Sequence, residues 1–431
     1  MTAMKTAAEL GLPADFDFTD PELYGNRMPH EEFATLRREA PVWWNPQPRT
    51  VGGFTDDGYW VITKHHDVRE VSLHTDIFSS GRKGAIPRLE DHISPEEFQA
   101  TLSVLINKDA PEHTQLRGLV SRMFTPRSIA ALRITLEERA ERIVQAALDG
   151  GHGEFVREVA SELPMQAIAE LIGVPEEDRV KLFEWSNQMT GYDEADVEVD
   201  PRIGAAQILG YCYQLAEQRR DCPGNDVVSR LLAGTVDGEQ LTPEQFGFFV
   251  VMLSVAGNET TRNATTMGMM AFLEHPDQWE LFKTGRPATA VDEIVRYTSP
   301  LISQQRTALQ DTMIGGVPIA AGERVVMLYP SANFDEEVFE NPHTFDITRD
   351  PNPHLGFGGT GAHYCLGANL AKVELEIIFN KIADRMPDIS RIGDAPRFHS
   401  GWINGIKKFD TAYCPRSDRP ARNARTAQTS G

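Results

Sequence analysis

The sequence predicts a mainly helical fold with small β-sheets, and two kinds of pattern carry this prediction. Apolar residues recur at helical spacing over three long segments, residues 133–148, 154–172 and 205–220. Short runs rich in β-branched and aromatic residues at 60–63 and 324–329 predict strands. No internal repeat and no linker divides the chain, so we expect a single domain over residues 1–414.

Composition limits the class of protein. With 431 residues and 41% apolar content, the chain is long enough to bury a large core. Residues 1–30 are polar, so we expect neither a signal peptide nor a membrane anchor, and a cytoplasmic protein. Four cysteines without a regular spacing agree with a reducing compartment. The polar, proline-containing tail over 415–431 is expected to be disordered.

The chain is strongly acidic. Asp and Glu total 63 against 42 Lys and Arg, which gives a formal net charge of −21. This charge disfavours non-specific binding to nucleic acid and to anionic membranes. We expect the excess acid to lie on solvated surface, and the protein to be a monomer.

The first candidate site residues lie in the segment 109–117, which places His113 and Arg117 one helical turn apart. Two such side chains on one helix face can together bind an anionic group of a ligand. A solvated helix face explains the same spacing, so the pattern alone does not separate the two interpretations.

A long helix is well signalled from residue 242 to 272. Thr242 can cap its N-terminus, Pro243 suits the first helical position, and Gln245 completes a capping box. The helix is apolar on most faces, so we expect it to cross the core.

The centre of this helix breaks the apolar pattern, with Gly257 followed by Glu259, Thr260 and Thr261. Buried polar groups cost free energy unless they are paired or used, so the break indicates a functional site. We expect Ala256 and Gly257 to leave room for a flat ligand and dioxygen, and Glu259 and Thr260 to pass protons to a bound oxygen species. The structural alternative is a kink whose threonines bond back to the preceding turn.

Glu293 and Arg296 lie three residues apart on a further predicted helix. On a surface such a pair contributes only about a few tenths of a kcal/mol. By itself this spacing indicates little.

The most informative segment is the glycine-dense run around Cys365, Phe-Gly-Gly-Thr-Gly-Ala-His-Tyr-Cys-Leu-Gly-Ala, which begins at Phe357. Glycines let backbone N–H groups approach a sulfur closely, and a helix predicted from Ala368 favours the thiolate through its N-terminal dipole. Cys365 is therefore a candidate axial ligand of a haem iron, ionised by its surroundings.

Three other interpretations of this loop stay open on the residues alone. The cysteine could be structural, could form a zinc half-site with His363, or could be a nucleophile with His363 as its base. The zinc interpretation lacks a second Cys/His pair, because Cys212, Cys222 and Cys414 are scattered along the chain.

In combination and in this order, these motifs resemble those of the cytochrome P450 family of haem-thiolate monooxygenases, over most of the chain from about residue 16 to 413. The resemblance implies the fold of that family, with haem b between the long central helix and the cysteine loop. It implies Cys365 as the iron ligand. The other haem contacts that it implies are His113, Arg117, Ala256, Gly257, Arg306, His354, Phe357, Gly358, Gly361, His363 and Gly367.

The same resemblance implies that Glu259 and Thr260 activate oxygen and that Glu293 and Arg296 are structural. Two departures from the family pattern are visible. Phe357 lies eight residues before the cysteine, where the family usually has seven, and Phe334 replaces a usual arginine, which removes one expected ion pair.

The lengthened loop resembles one bacterial branch of the family in particular, the steroid side-chain monooxygenases. These oxidise the terminal methyl group of cholesterol and cholest-4-en-3-one, and the segments 52–60 and 400–407 add to the likeness. The resemblance implies a lipophilic sterol substrate, dioxygen, and electrons from a ferredoxin and its ferredoxin reductase.

Resemblance and position also imply an apolar substrate pocket. Its expected lining residues, each of which ordinary core packing would also explain, are Ile86, Leu105, Val255, Leu301, Ile302 and Trp402. In the family, irregular regions such as 79–107 and 190–201 form a mobile lid. An acidic ferredoxin would need a local basic patch, for which Arg117, Arg122 and Lys372 are candidates.

Other functions are compatible with the same motifs. The substrate could be a fatty acid, a branched lipid or a terpenoid, and a peroxide-driven oxygenase would need no ferredoxin. A haem-thiolate sensor would keep Cys365 without needing Glu259 and Thr260. These two residues favour dioxygen activation, and turnover that depends on redox partners distinguishes an enzyme from a sensor.

Overall fold

Helices dominate the computed structural model, which describes residues 5–190, 201–236 and 238–413. The α-helices are α1 (Pro21–Asn26), α2 (His30–Glu39), α3 (His65–Leu73), α4 (Pro95–Thr101), α5 (Glu112–Val120), α6 (Pro126–Ala130), α7 (Arg133–Gly150), α8 (Glu162–Ile172), α9 (Arg179–Thr190), α10 (Pro201–Asp221), α11 (Val227–Ala233), α12 (Pro243–Glu274), α13 (Pro276–Gly285), α14 (Ala290–Thr298), α15 (Tyr329–Ala332) and α16 (Ala368–Arg385). Short 3-10 turns lie at Ala8–Leu10, Leu105–Asn107, Ser121–Phe124 and Glu176–Asp178, and a π-helical turn at Val156–Ala160.

The strands form two small sheets and two hairpins. They are β1 (Val42–Pro46), β2 (Gly58–Ile62), β3 (Phe78–Ser79), β4 (His152–Glu154), β5 (Thr235–Val236), β6 (Glu239–Gln240), β7 (Ser303–Ala308), β8 (Thr312–Ile314), β9 (Val317–Ile319), β10 (Arg324–Leu328), β11 (Ser390–Arg391) and β12 (Asp410–Ala412). The larger sheet has the order β1-β2-β10-β7-β3, with β2 and β10 parallel and the other neighbours antiparallel. The smaller sheet has the order β11-β12-β4.

The predicted fold class is confirmed, and most of the predicted elements are present. The strands expected at 60–63 and 324–329 correspond to β2 and β10, and α7 and α10 cover the helices expected at 133–148 and 205–220.

The helix predicted over 154–172 is wrong in its first part. Residue Glu154 ends β4, where it pairs with Asp410 of β12, and the Phe155 N–H donates to the Phe409 carbonyl at 2.9 Å. These backbone groups are therefore committed to a strand far away in the sequence. The α-helix starts only at Glu162, after the π-helical turn.

The long helix α12 begins as predicted. The Gln245 N–H donates to Thr242 Oγ1 at 3.2 Å, the Thr242 N–H donates to Gln245 Oε1 at 3.0 Å, and Pro243 is the first helical residue. The helix packs against α8, α10, α14 and α16, so it crosses the core. Buried apolar residues from these helices belong to the largest apolar cluster of the described residues.

Two predicted segments lie partly or wholly outside the described residues. They are the tail at 415–431, with Cys414, and most of the expected lid segment 190–201. Within the described ranges, none of the helices is long and apolar enough to cross a membrane.

The other expected lid segment, 79–107, contains α4 and a 3-10 turn, and hydrogen bonds hold its backbone. Asn107 accepts from the Ala85 N–H through Oδ1 and donates to the Thr101 carbonyl through Nδ2, each at 2.7 Å. The Gln305 N–H of β7 donates to the Ala85 carbonyl at 2.8 Å. This segment is thereby tied to the larger sheet.

Candidate active site

The cysteine loop leads directly into α16. The Cys365 N–H donates to the Phe357 carbonyl at 2.9 Å and closes the loop, while Gly358 and Gly361 have φ of +97° and +85°. A side chain at these two positions would be strained, because φ values of this kind favour glycine. The glycine density of the sequence thus follows from the path of the loop.

Helix α3 supplies a second reason for glycine in this loop. A Cβ atom on Gly359 would lie 2.4 Å from Ser72 Oγ, and one on Gly361 would lie 2.5 Å from the Ser72 carbonyl oxygen. The lengthened loop therefore lies directly against the end of α3, which is a long-range contact that the loop sequence alone does not show.

The electrostatics of Cys365 differ from the expectation. Its side chain is accessible, yet protein surrounds it closely enough that burial raises its pKa. The N–H groups of Gly367 and Ala368 and the nearby Arg117 act in the opposite direction but do not outweigh burial. In the protein alone, burial thus opposes the ionisation that the helix dipole was expected to favour, and a bound metal cation would favour the thiolate.

A cluster of basic side chains lies beside the loop. The imidazole rings of His113 and His363 pack against each other with their centroids 4.1 Å apart and their planes tilted by 39°, and His363 Nε2 lies 3.1 Å from Ser80 Oγ. Arg117 Nη2 donates to the Tyr364 carbonyl at 2.6 Å. The structure thus brings His113, Arg117 and His363 together from α5 and the cysteine loop.

Arg306 of β7 completes this basic cluster. Burial and the charge of neighbouring arginines lower the pKa of His113 to about 4 and of His363 to about 2, and the Arg306 charge acts on both rings. Arg306 is itself buried, which lowers its pKa. Within the described part of the chain it forms no ion pair, and its Nε has no hydrogen-bond partner. The two arginines carry the positive charge of this cluster and the neutral imidazoles add hydrogen-bonding groups, a set that fits an anionic ligand such as the propionate groups of a haem.

Asp109 is a site residue that the sequence analysis missed. Its carboxylate accepts from the Ser80 N–H at 2.8 Å and from the Gly81 N–H at 3.3 Å, and also from the Ser79 hydroxyl. It thereby fixes the turn that carries Ser80 to His363. The position of Asp109, four residues before His113, could have indicated it, whereas Ser80 has no local signal.

His354 is not brought to the basic cluster. Its Nε2 lies 3.1 Å from Asp292 Oδ1, and its Nδ1 accepts from the Gly356 N–H at 3.1 Å. Both ring nitrogens are therefore engaged by protein groups. Asp292 also pairs with Lys372 at 2.6 Å, so this expected contributor to a basic patch is neutralised locally.

The centre of α12 presents one accessible face. Ala256 is exposed although it lies in the middle of the helix, and Thr260, one turn later, is half-buried. The Thr260 hydroxyl donates to the Ala256 carbonyl at 2.9 Å, so the back-bonding that we considered as an alternative is present.

Gly257 does not leave the space that we expected. A Cβ atom at this position would lie 3.1 Å from Ile168 Cδ1 of α8, which is tighter than ordinary van der Waals contact. The glycine therefore allows α8 and α12 to pack closely, and of these two residues Ala256 is the one exposed on the accessible face.

Glu259 is fully buried and forms an ion pair with Arg262, which is also buried. The guanidinium of Arg262 lies 5.8 Å from the ring centroid of Phe398. Arg262 is a second residue that the sequence analysis missed, although its position three residues after the acid was a visible signal.

Glu293 and Arg296 form a buried, bidentate pair, unlike the surface pair that their spacing permits. Arg296 donates to both carboxylate oxygens at 2.8 Å, and Arg349 Nε adds a contact to Glu293 Oε2 at 3.1 Å. The ring of Phe334 lies 5.1 Å from the Arg296 guanidinium, so a cation–π contact occupies the place of the expected ion pair. Arg349 was not predicted.

The expected pocket residues fall into two groups. Ile86, Val255, Leu301 and Trp402 are partly exposed. Leu105 and Ile302 are buried in two different apolar clusters, so the structure places them among core residues. In the part of the chain that the structure describes, the N–H of the Trp402 indole has no hydrogen-bond partner.

The geometry bears on the alternative interpretations of the loop. Among residues 5–190, 201–236 and 238–413, His, Cys, Asp and Glu side chains form no group of three or more that could hold a metal ion. The His363 ring packs against His113, and its Nε2 contacts Ser80, which is not the arrangement of a base that activates a thiol.

The family model and the relatives that match this chain agree on one family. A family model described as "Cytochrome P450" matches residues 288–385. The "Steroid C26-monooxygenase" of Rhodococcus jostii (strain RHA1) is 61% identical over 406 residues, which cover 94% of this chain and 86% of that protein. The "Methyl-branched lipid omega-hydroxylase" of Mycobacterium tuberculosis (strain ATCC 25618 / H37Rv) is 40% identical over 392 residues, which cover 88% and 90%.

A solved structure shows the same architecture. Mycobacterium marinum cytochrome P450 CYP268A2 in complex with pseudoionone superposes with a TM-score of 0.85 at 33% identity, covering 92% of this chain and 98% of that one.

Proposed function

The chain belongs to the cytochrome P450 family, and from this premise we propose that it is a monooxygenase that hydroxylates the terminal methyl group of a sterol side chain, in cholesterol or cholest-4-en-3-one. The observation that carries the sterol assignment is the 61% identity, over 94% of the chain, to a relative named as a steroid C26-monooxygenase. The glycine-rich loop of this branch is present in full.

Haem is the cofactor of the family, and we assign it here as haem b with Cys365 as the iron ligand. Arg117 and Arg306, with the neutral imidazoles of His113 and His363, would hold its propionates, because Arg306 is a buried cation that forms no ion pair within the described residues. When bound, a thiolate-ligated haem supplies the activation of dioxygen and the oxidation of an unreactive C–H bond. Replacing Cys365 by Ala is expected to abolish thiolate ligation, which the carbon monoxide difference spectrum reports.

The polar residues of α12 would bind and transfer protons. Thr260 lies on the accessible face with Ala256, so its hydroxyl can hold and pass a proton in the ligand space. Glu259 is the nearest acid along the helix and would renew that proton.

A methyl-branched lipid is a second candidate substrate, because a relative of this chain is named as a hydroxylase of such lipids. The methyl-branched lipid hydroxylase is also a relative, but at 40% identity against 61% for the steroid enzyme. Both names describe oxidation at the end of an aliphatic chain. Presenting a terminal methyl group requires a pocket that excludes water and fixes orientation by shape, for which the partly exposed Ile86, Val255, Leu301 and Trp402 are the candidates.

We propose that electrons arrive from a ferredoxin and its reductase in the cytoplasm, with the enzyme acting as a monomer. Arg122 and Arg127, near the start of α16, are exposed, and no ion pair engages them within the described residues. Asn369 Nδ2 of α16 donates to the Phe124 carbonyl at 3.0 Å, which places this turn beside the cysteine helix. Because the whole chain carries a charge of −21, an acidic partner would be guided to such a local basic patch.

A charge reversal tests this docking surface. Arg122→Glu and Arg127→Glu are expected to lower the second-order rate of ferredoxin-supported reduction and to weaken its salt dependence. Arg391→Glu, in the small sheet, is the matched control. If all three changes lower the reduction rate equally, Arg122 and Arg127 do not form the docking surface for ferredoxin.

The substrate is tested by optical titration of the haem-loaded protein with cholest-4-en-3-one, followed by identification of the product. A saturable conversion of low-spin to high-spin haem and a terminal alcohol as product would support the sterol assignment. A shift only with a methyl-branched lipid would keep the monooxygenase and discard the sterol. Sterol binding without turnover by ferredoxin, reductase and NADH would favour a sensor.

A further inference from the structure

The side chain of Asn107 joins two parts of the segment 79–107. It is 2% exposed, and its Oδ1 accepts from the Ala85 N–H while its Nδ2 donates to the Thr101 carbonyl, each at 2.7 Å. Ala85 is 0% exposed, and a buried backbone N–H without a partner costs free energy comparable to a lost hydrogen bond. Asn107 therefore holds the backbone at Ala85 and ties it to the end of α4.

Strand β7 holds the other polar group of the Ala85 backbone. The N–H of Gln305 donates to the Ala85 carbonyl at 2.8 Å, and the side-chain Nε2 of Gln305 donates to the Lys83 carbonyl at 3.0 Å. Gln305 is itself 0% exposed. Both backbone groups of Ala85 are thus bound, the N–H by Asn107 and the carbonyl by Gln305.

The register of the sheet shows that this contact is a separate anchor. Strand β3 pairs antiparallel with β7, with Ser79 opposite Thr307. A continuation of this register would place Gly81 opposite Gln305. The Gln305 N–H instead donates to Ala85, four residues later. The chain therefore leaves the edge of the sheet after β3 and returns to it at Ala85.

Ile86 follows this anchor directly. It is partly exposed, whereas its neighbours Ala85 and Pro87 are buried. Gln305 precedes Arg306, which belongs to the basic cluster that we assign to the haem propionates. The hydrogen bonds at Ala85 therefore fix the backbone of Ile86 relative to residues that would hold the cofactor.

Hydroxylation of a terminal methyl group needs a pocket wall that does not move. The terminal methyl groups of a cholesterol side chain are attached to a tertiary carbon, whose C–H bond is weaker than those of the methyl groups. Reactivity alone therefore favours the tertiary carbon. The methyl group is oxidised only if the pocket holds the chain in one orientation, and a misplacement of about 1 Å can change a rate about a hundredfold.

We propose that Asn107 and Gln305 are positioning residues that hold Ala85, and that Ile86, fixed by this anchor, is the wall that directs hydroxylation to the terminal methyl group. This inference rests on the proposed function and deepens it, because it assigns the choice between two carbons of the same side chain. Ile86 acts by contact with the substrate, whereas Asn107 and Gln305 act through the backbone.

The first test needs no substrate and measures amide hydrogen exchange at Ala85 in the haem-loaded protein. Asn107→Leu removes both side-chain hydrogen bonds at similar volume, so the Ala85 N–H should exchange about tenfold faster or more. Asn107→Asp should keep the slow exchange, because a carboxyl group in either protonation state has an oxygen that accepts from this N–H.

Asn45 offers a matched control in another part of the fold. It is 0% exposed, accepts from the Phe18 N–H at 3.1 Å and donates to the Phe16 carbonyl at 2.8 Å. Asn45→Leu therefore also removes a buried amide that bridges two backbone groups. It should destabilise the protein while leaving the exchange at Ala85 as slow as in the wild type.

The second test measures which alcohol is formed from a substrate with a branched chain end. We expect Asn107→Leu to raise the share of the tertiary alcohol about tenfold, and Asn107→Asp and Asn45→Leu to keep the terminal alcohol as the main product. Ile86→Ala should give the same shift toward the tertiary alcohol with unchanged exchange at Ala85, because it removes the wall and leaves the anchor intact. A purely structural role of Asn107 would lower stability without changing the product.

Three results would overturn the proposal. They are an unchanged product distribution in Ile86→Ala, unchanged exchange at Ala85 in Asn107→Leu, or an equal shift of products in Asn45→Leu, which would make the shift a general effect of lost stability.

A second variant covers the case in which Asn107→Leu does not fold. Gln305→Met removes the side-chain donor to the Lys83 carbonyl and keeps the backbone N–H that binds Ala85. It should shift exchange and products in the same direction by a smaller factor, and the absence of both shifts would count against the anchor. A failure of the sterol assignment is distinguishable, because the exchange measurement needs no substrate and a lipid with a methyl-branched end offers the same choice of carbons.

Discussion

Thr260 and Thr265 make the same local hydrogen bond in α12 but differ in their surroundings. Each hydroxyl donates to the carbonyl four residues earlier at 2.9 Å, to Ala256 and Thr261 respectively. Thr260 is half-buried on the accessible face, whereas Thr265 is 1% exposed. The hydrogen bond therefore describes how the helix accommodates threonine, and accessibility decides which of the two can exchange protons with a ligand.

Replacing Thr260 by Ala is expected to leave haem binding and the substrate-induced spectral shift intact. Product per NADH should fall by about fivefold or more, with the electrons recovered as hydrogen peroxide, because the hydroxyl that delivers protons is lost. The measurement compares NADH consumed, product and peroxide. Thr265→Ala is the control and should remain coupled, and a Thr260→Ala variant that couples as tightly as this control would contradict the proton-delivery role.

Phe334 shows how a single residue can depart from a family pattern without loss of the local structure. It lies 3% exposed between the Arg296 guanidinium and the His30 ring, whose centroid is 4.4 Å away. The sequence predicted only the loss of an ion pair. The replacement contact depends on His30 and Arg296, which are distant in sequence, so no local pattern could have indicated it.

Three glycines with positive φ, two in the cysteine loop and one in the turn between β8 and β9, separate the effect of backbone strain from that of steric contact. Gly316 has φ +81° with open space at its Cβ position, and Gly358 has φ +97° with its nearest neighbour at 3.8 Å. Gly361 has φ +85°, and its Cβ would lie 2.5 Å from the Ser72 carbonyl oxygen of α3. A substitution at Gly316 or Gly358 therefore tests the effect of backbone conformation alone. A substitution at Gly361 also tests the contact with α3.

Replacing Gly316 or Gly358 by Ala should lower the free energy of unfolding by about 1–2 kcal/mol, the cost of a left-handed residue. Replacing Gly361 should cost more than either and should also reduce thiolate-ligated haem, since the loop must move away from α3. Thermal unfolding and the carbon monoxide difference spectrum check this. A Gly361→Ala variant that resembles Gly316→Ala would show that α3 does not constrain the loop.

The elements that the sequence predicted well are those whose signals are local. The start of α12 was predicted because Thr242 and Gln245 lie three residues apart and satisfy each other. The failures depended on distant partners. Glu154 was assigned to a helix because its pairing with Asp410 of β12 is not visible locally, and the contact of His354 with Asp292, 62 residues away, has no local signal either.

Across the whole molecule, buried neutral histidines make folding sensitive to acid. His30 is half-buried against the rings of Phe334 and His343, with centroids at 4.4 and 5.7 Å, and among the described residues its solvent-inaccessible Nδ1 has no hydrogen-bond partner. Burial, with the charges of His343 and Arg37, lowers its pKa from 6.5 to about 3. The unfolded chain therefore binds a proton at this residue at a higher pH than the folded chain does.

The sign of the effect follows from this difference. The contribution of His30 to stability is fully present above the ordinary pKa of 6.5, and it is lost as pH falls from there toward the folded pKa of about 3. Between about pH 7 and pH 5 the loss amounts to about 2 kcal/mol. His30→Phe, which keeps an aromatic ring in the cluster, should therefore unfold with a smaller decrease in stability over this interval.

The measurement is the unfolding midpoint of the haem-loaded protein at the two pH values, for the wild type, His30→Phe and His92→Phe. His92 is exposed, so its replacement should leave the pH dependence of the wild type unchanged. Carboxylates titrate over part of the same interval, but they are common to all three proteins and cancel in the comparison. An equal pH dependence of His30→Phe and wild type would show that His30 is not held neutral by the fold, and the acid sensitivity would then belong to the other buried histidines.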